Sequence, residues 1–98
     1  MTRKLSPLHP GEVLREEFMK PLRLSAYAVA KAGHVPRTRI ERIAAEKIGI
    51  TADTALRLAK LFDTTPEFWL NLQGQYELET ATTAARDLKA ISAIALEA

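Results

Sequence analysis

A chain of 98 residues sets one domain as the expectation, and the absence of cysteine excludes a disulfide scaffold and thiolate metal sites and fits a reducing cytosol. Hydrophobic residues make up 47% and aromatics 6%, which suffices for one modest core of Leu, Ile, Val and Ala and excludes a wide aromatic-lined pocket. The net charge of +2 excludes a histone-like polycation, yet seven basic residues face three acidic ones between Ser25 and Lys60, a basic centre that suits a localised anionic partner.

Residues 1–8 are polar and proline-marked and read as a loose arm. His9-Pro10-Gly11-Glu12 starts a helix, with proline in the first turn and Glu12, Glu16 and Glu17 toward the positive end of the helix. Val13, Leu14 and Phe18 form its inner stripe, and Pro21 ends it near Lys20. From Ser25 to Ile43, SAYAVAKAGHVPRTRIERI reads as two short helices joined by a tight turn. Ser25 caps the first, because its hydroxyl accepts from an orphan backbone N–H. Val29, Ala30, Val35, Ile40 and Ile43 keep helical spacing, interrupted once at Gly33-His34. Pro36 is expected to open the second helix, where its missing N–H costs little.

After Ile43 the chain leaves the helix, with Gly49 as a connector. Thr51 caps the next helix, whose inner positions are Ala55, Leu58, Ala59 and Phe62. Thr64 and Glu67 have capping-box spacing, with Pro66 inside the first turn and Phe68, Trp69, Leu72 and Tyr76 following. The three aromatics are read as core or dimer interface. From Gln75 onward there is neither Gly nor Pro, and Ala84, Leu88, Ile91 and Ala95 form a weak apolar stripe. A fraying tail and a helix that docks on a partner both fit it. No strand alternation or repeat is present, so the fold class is all-α, five helices in one bundle. No apolar run approaches the roughly 20 residues of a membrane helix, and no signal peptide opens the sequence. A soluble cytoplasmic protein with no membrane partner is expected.

The second helix of the Ser25–Ile43 unit puts Arg37, Thr38, Arg39 and Arg42 outside and Ile40 and Ile43 inside. A short helix with a dry side and an arginine side, set on a partner helix after a sharp turn, is the layout of a helix-turn-helix reader of duplex DNA. The arginine fork matches O6 and N7 of guanine in the major groove, and Thr38 suits a thymine methyl or a phosphate. Ser25 and Tyr27 start the supporting helix, where hydroxyls and N–H groups set register on phosphates; Tyr27 equally suits a half-buried core position. Lys47, just past the reading helix, adds a phosphate contact. Arg39, beside Ile40, is the arginine closest to the edge of this surface.

His9-to-Phe18 (HPGEVLREEF), Leu24-to-Ala32 (LSAYAVAKA) and Ile50-to-Gln73 (ITADTALRLAKLFDTTPEFWLNLQ) together resemble the HigA-type antitoxins of the lambda-repressor-like (XRE) helix-turn-helix family. Tyr76-Glu77-Leu78 resembles the family's usual Tyr-Asp-Leu, so the likeness covers His9 to Leu78. The resemblance implies a five-helix lambda-repressor-like DNA-binding domain over 9–78, with its helix-turn-helix at 25–43, and a C-terminal helical extension or tail over 79–98. It also implies a homodimer that binds palindromic operator DNA, represses its own operon and neutralises a HigB-like mRNA interferase toxin. The chain departs from the family pattern in three places. His34 stands where Gly is usual, so the turn needs a left-handed His. Ala26 stands where many relatives of the lambda repressor carry a phosphate-contacting Gln. Glu46 and Ile48 replace Gly and Arg after the reading helix, which brings a negative charge near the expected phosphates.

Three rival classes follow from the same residues. An enzyme is not expected: His9 and His34 belong to no H-E-x-x-H spacing, and no phosphate loop or nucleophile elbow is present. Glu12 and Glu16, four apart, fit a dipole-complementing surface better than a catalytic pair. No cofactor or metal is expected. A protein-interaction module without DNA binding and a solitary XRE repressor without a toxin are the other two.

Overall fold

The computed structural model describes residues 6–95, and every regular element in them is helical. Most of the expected arm, residues 1–5, and the last three residues of the tail lie outside the described residues. Helix α1 starts as Pro10–Val13 and continues through a π-helical stretch, Leu14–Met19. It is followed by α2 (Ala26–Gly33), α3 (Arg37–Ala44), α4 (Ala52–Phe62) and α5 (Pro66–Ala84), then a short 3₁₀ turn at Leu88–Ala90. Helix α2 packs on α3 and α4, α4 on α5, and α1 reaches both α3 and α5. Among the described residues no helix is long and apolar enough to cross a membrane.

The start of α1 explains the HPGE string. The ring Nδ1 of His9 accepts from the Gly11 N–H at 2.8 Å, and Pro10 takes the first helical position. Gly11 is buried because α1 meets the end of α3 there. A Cβ on Gly11 would overlap the Ile43 carbonyl oxygen, so only glycine permits this approach. Burial holds the His9 imidazole below its ordinary pKa of 6.5; Glu46 pulls it up and Arg15 pushes it down, both more weakly. The His9 ring also stands edge-on to Tyr76 of α5, with centroids 4.7 Å apart. A neutral ring is therefore required for the cap. Its contribution to stability is fully present above pH ~6.5 and declines as pH falls through that value toward the lower folded pKa. Urea denaturation at pH 7.5 and 5.5 is expected to show this loss in the native chain. His9→Asn, which keeps a capping acceptor without a titrating group, is expected to lose less.

The core gathers Leu14 and Met19 of α1, Val29 and Ala30 of α2, Ile40 and Ile43 of α3, Ile50, then Ala55, Leu58 and Ala59 of α4 and Trp69 of α5. Val13 and Phe18 flank it, partly buried. Trp69 is fully buried and donates its indole N–H to the Thr64 hydroxyl at 2.8 Å. Phe18 lies between Phe62 and Trp69, at 4.8 and 5.2 Å. Of the two readings left for Trp69, core is the one observed, whereas Phe68 stays exposed at the rim.

Two boundaries differ from those expected from the sequence, and α1 changes helix type before its expected end near Lys20. Pro36 has an extended backbone (ψ 142°) and precedes α3, which begins at Arg37. The cap of α5 is Thr65, whose hydroxyl accepts from the Phe68 N–H at 3.1 Å, while Thr64 is engaged by Trp69 instead of forming a capping box with Glu67. The end of α1 is π-helical, with the Lys20 N–H donating to the Arg15 carbonyl. Helix α5 continues to Ala84 and residues 86–95 beyond it are exposed, without a helix joining Ala84, Leu88, Ile91 and Ala95. Only Trp69 among the residues of α5 is buried, so its second half, with Leu78 outside, leaves the core.

Candidate nucleic-acid interface

Helices α2 and α3 form the candidate site. The Ser25 hydroxyl accepts from the Ala28 N–H at 3.1 Å and fixes the start of α2, as its type and position predict. At the other end His34 adopts the left-handed conformation (φ 58°, ψ 47°). There the Val35 N–H returns to the Ala30 carbonyl at 3.0 Å, a closure that satisfies carbonyls α2 would otherwise leave open. Glycine is not used for this: Gly33 is helical, and no glycine among the described residues has positive φ. A non-glycine residue in this region costs of order 1 kcal/mol. His34→Gly is therefore expected to raise stability by up to about 1 kcal/mol, and His34→Val to lower it, in urea titrations.

The turn is held from outside by a residue the sequence reading did not single out. Arg57 of α4 donates through Nη1 to the carbonyls of Gly33 (3.1 Å) and His34 (3.4 Å). Its Nε meets Asp53 at 3.1 Å, one helical turn earlier. The Asp53–Arg57 spacing of four was a readable signal; its link to the turn was not, because it spans separate elements.

On α3, Ile40 and Ile43 are buried while Arg37, Thr38, Glu41 and Arg42 are exposed. Arg37 is 61% exposed and sits 3.4 Å from Glu41, a weak surface pair. Arg42 has no acidic partner among the described residues, and neither does Lys47, whose N–H closes the helix end on the Arg42 carbonyl at 2.8 Å. Arg39 is placed differently: it is 34% exposed and its Nη1 lies 2.7 Å from Asp53 Oδ2. Hydrogen bonds from Arg39 first, and from Arg57 second, hold the Asp53 carboxyl below its ordinary pKa. Tyr27 is exposed, not half-buried, and the Lys31 ammonium lies 5.9 Å from its ring centre.

Glu46 resolves one departure noted in the sequence. It takes the left-handed position after α3 (φ 62°), where a glycine would be usual. Its carboxylate turns back to Arg15 of α1, 3.2 Å away, and Arg15 also donates to the Ala44 carbonyl. The negative charge is thus met by a cation of the protein itself. Among the described residues no cluster of His, Asp or Glu is arranged to hold a metal ion.

A capped helix, a left-handed turn and a second helix with one buried and one cationic face define a helix-turn-helix protein. The helix-turn-helix family model matches residues 16–69, more than half of the chain. Virulence-associated protein I of Dichelobacter nodosus is 45% identical over 95 residues, covering 97% of this chain and 88% of that protein. The structure of the Pseudomonas aeruginosa antitoxin HigA with the higBA promoter is 44% identical, with a TM-score of 0.80 over 86% of this chain and 89% of that one. Antitoxin GraA in complex with its operator is 45% identical, with a TM-score of 0.83 over 100% and 99% of the two chains. The chain belongs to the HigA-type antitoxins of the helix-turn-helix family, a class of non-enzymatic DNA-binding regulators.

Proposed function

We propose that this chain is the antitoxin of a type II toxin-antitoxin module, that it represses its own operon by binding a palindromic operator as a homodimer, and that it neutralises a HigB-like mRNA interferase in the cytoplasm. The observation that carries the DNA-binding half is the division of α3: Ile40 and Ile43 anchor it in the core while Arg37, Thr38 and Arg42 face outward. In this reading Arg37 and Arg42 meet base edges and Thr38 a methyl or phosphate. Ser25, Tyr27 and Lys47 set the register on the backbone, and Arg39 lies at the margin. A single short helix reads few base pairs, and two half-sites related by a dyad multiply the affinity, which supports a dimer. The exposed Leu70 and Leu78 of α5 supply apolar surface for a partner. Residues 9–78 carry DNA binding in this account, and the stretch from 79 onward serves protein contacts.

The test has two arms. Fluorescence anisotropy on the DNA upstream of the gene should give tight, sequence-dependent binding that weakens steeply with salt. Co-expression with the product of the neighbouring reading frame should yield a complex and restore growth. A protein that shows no preference for that DNA is only an interaction module. One that binds DNA but has no toxic neighbour is a solitary repressor.

A further inference from the structure

Helices α3 and α4 meet at one carboxylate, and α2 is linked to it through Arg57. Asp53, in the first turn of α4, receives Nη1 of Arg39 from α3 at 2.7 Å and Nε of Arg57 at 3.1 Å. Arg57 in turn holds the carbonyls at the end of α2. Arg39 is consequently the only arginine of α3 tied to another helix by an ion pair among the described residues; Arg37 pairs within α3 and Arg42 has no acidic partner. The pairing does not serve to neutralise a buried charge, because Arg39 is about a third exposed and Asp53 about half. It occupies a cation at the edge of the expected DNA surface.

The geometry points to Asp53 as a specificity-determining positioning residue, which holds Arg39 away from the phosphate backbone while Arg37, paired only within α3, and Arg42 stay on the outer face to meet bases. This inference rests on the operator-binding reading above. An unpaired arginine beside a polyanion gains phosphate contact whatever the sequence, and each such contact adds to non-specific binding and to its salt dependence. The gain is larger on non-operator DNA, where the protein takes any orientation that maximises phosphate contact. On the operator, base contacts lock the orientation. An aspartate and an arginine are both charged near neutrality, so the pair is ionic under the conditions of DNA binding.

The experiment measures binding of the full chain to operator and scrambled duplexes across salt, for the native chain, Asp53→Asn, Arg39→Ala and the double variant. Asp53→Asn is expected to bind scrambled DNA roughly three- to tenfold more tightly at low salt, with a log–log salt slope steeper by about 1 and a reduced operator preference. In the Arg39→Ala background this gain should shrink or vanish. An equal gain in both backgrounds would mean that only a negative charge was lost, and together with the outcome of no gain it overturns the inference. Arg39→Ala alone gives an independent check should Asp53→Asn unfold. Its operator affinity is expected to fall less than that of Arg42→Ala, and a loss comparable to that of Arg42→Ala overturns the assignment. A native chain with no operator preference contradicts the operator-binding reading itself, and this assignment with it; a preference combined with equal gains contradicts only the assignment.

Discussion

Alanine at Arg42 is expected to weaken operator binding by about 1–3 kcal/mol, and alanine at Arg37 by a similar amount, while urea denaturation stays close to that of the native chain. Both side chains are exposed and neither contributes to the core. Arg42 makes no internal ion pair among the described residues, and the Arg37–Glu41 pair at 3.4 Å is of the exposed kind that adds little to stability. Their loss should therefore appear in binding alone. The two losses should also be selective: each variant is expected to relax preference at one or two operator positions, as a base contact does. Lys47→Ala should instead weaken all sequences evenly and flatten the salt slope by about 1. Unchanged affinity and unchanged preference in both arginine variants would remove α3 from the reading role.

Gly11→Ala is expected to destabilise the fold by about 3 kcal/mol, the upper end of ordinary overpacking. The added methyl meets the Ile43 carbonyl, which is backbone and cannot swing away as a side chain would. Relief requires α1 to move off the end of α3, and that movement disturbs the His9 cap, the contacts of Leu14 and the Arg15–Glu46 pair together. A similar close approach occurs at Gly49, but there the obstacle is the Gln73 side chain, which can rotate away at the loss of the bond it accepts from the Ile50 N–H, so the same substitution should cost less. The comparison of the two alanine variants by denaturation separates a backbone clash from a side-chain one.

Local chemistry carried much of this structure in legible form. Ser25 and Thr51 cap the helices their side chains suit, and the i, i+3 spacing of Ile40 and Ile43 assigns α3 its buried face. What stayed illegible depends on contacts between elements. Thr64 carries the capping-box spacing, yet the Trp69 indole claims its hydroxyl and Thr65 caps instead. His34 takes the left-handed conformation expected of it, but nothing local reports that Arg57 of α4 holds its carbonyl. The same applies at Glu46, where Arg15 from α1 engages the side chain of a left-handed residue. Arg39 and Asp53 lie 14 positions apart across a loop, a separation that no helical periodicity reports.

Whether α3 presents its arginines to base edges is tested by anisotropy binding to an operator in which single guanines are replaced by 7-deazaguanine, which removes the N7 acceptor from the major groove and leaves base pairing intact. At one or more positions the native chain is expected to lose affinity, while Arg42→Ala or Arg37→Ala loses no more than it already has, so that the two changes are not additive. Full additivity at every guanine, or no loss at any, would contradict a reading helix that presents its arginines to the bases.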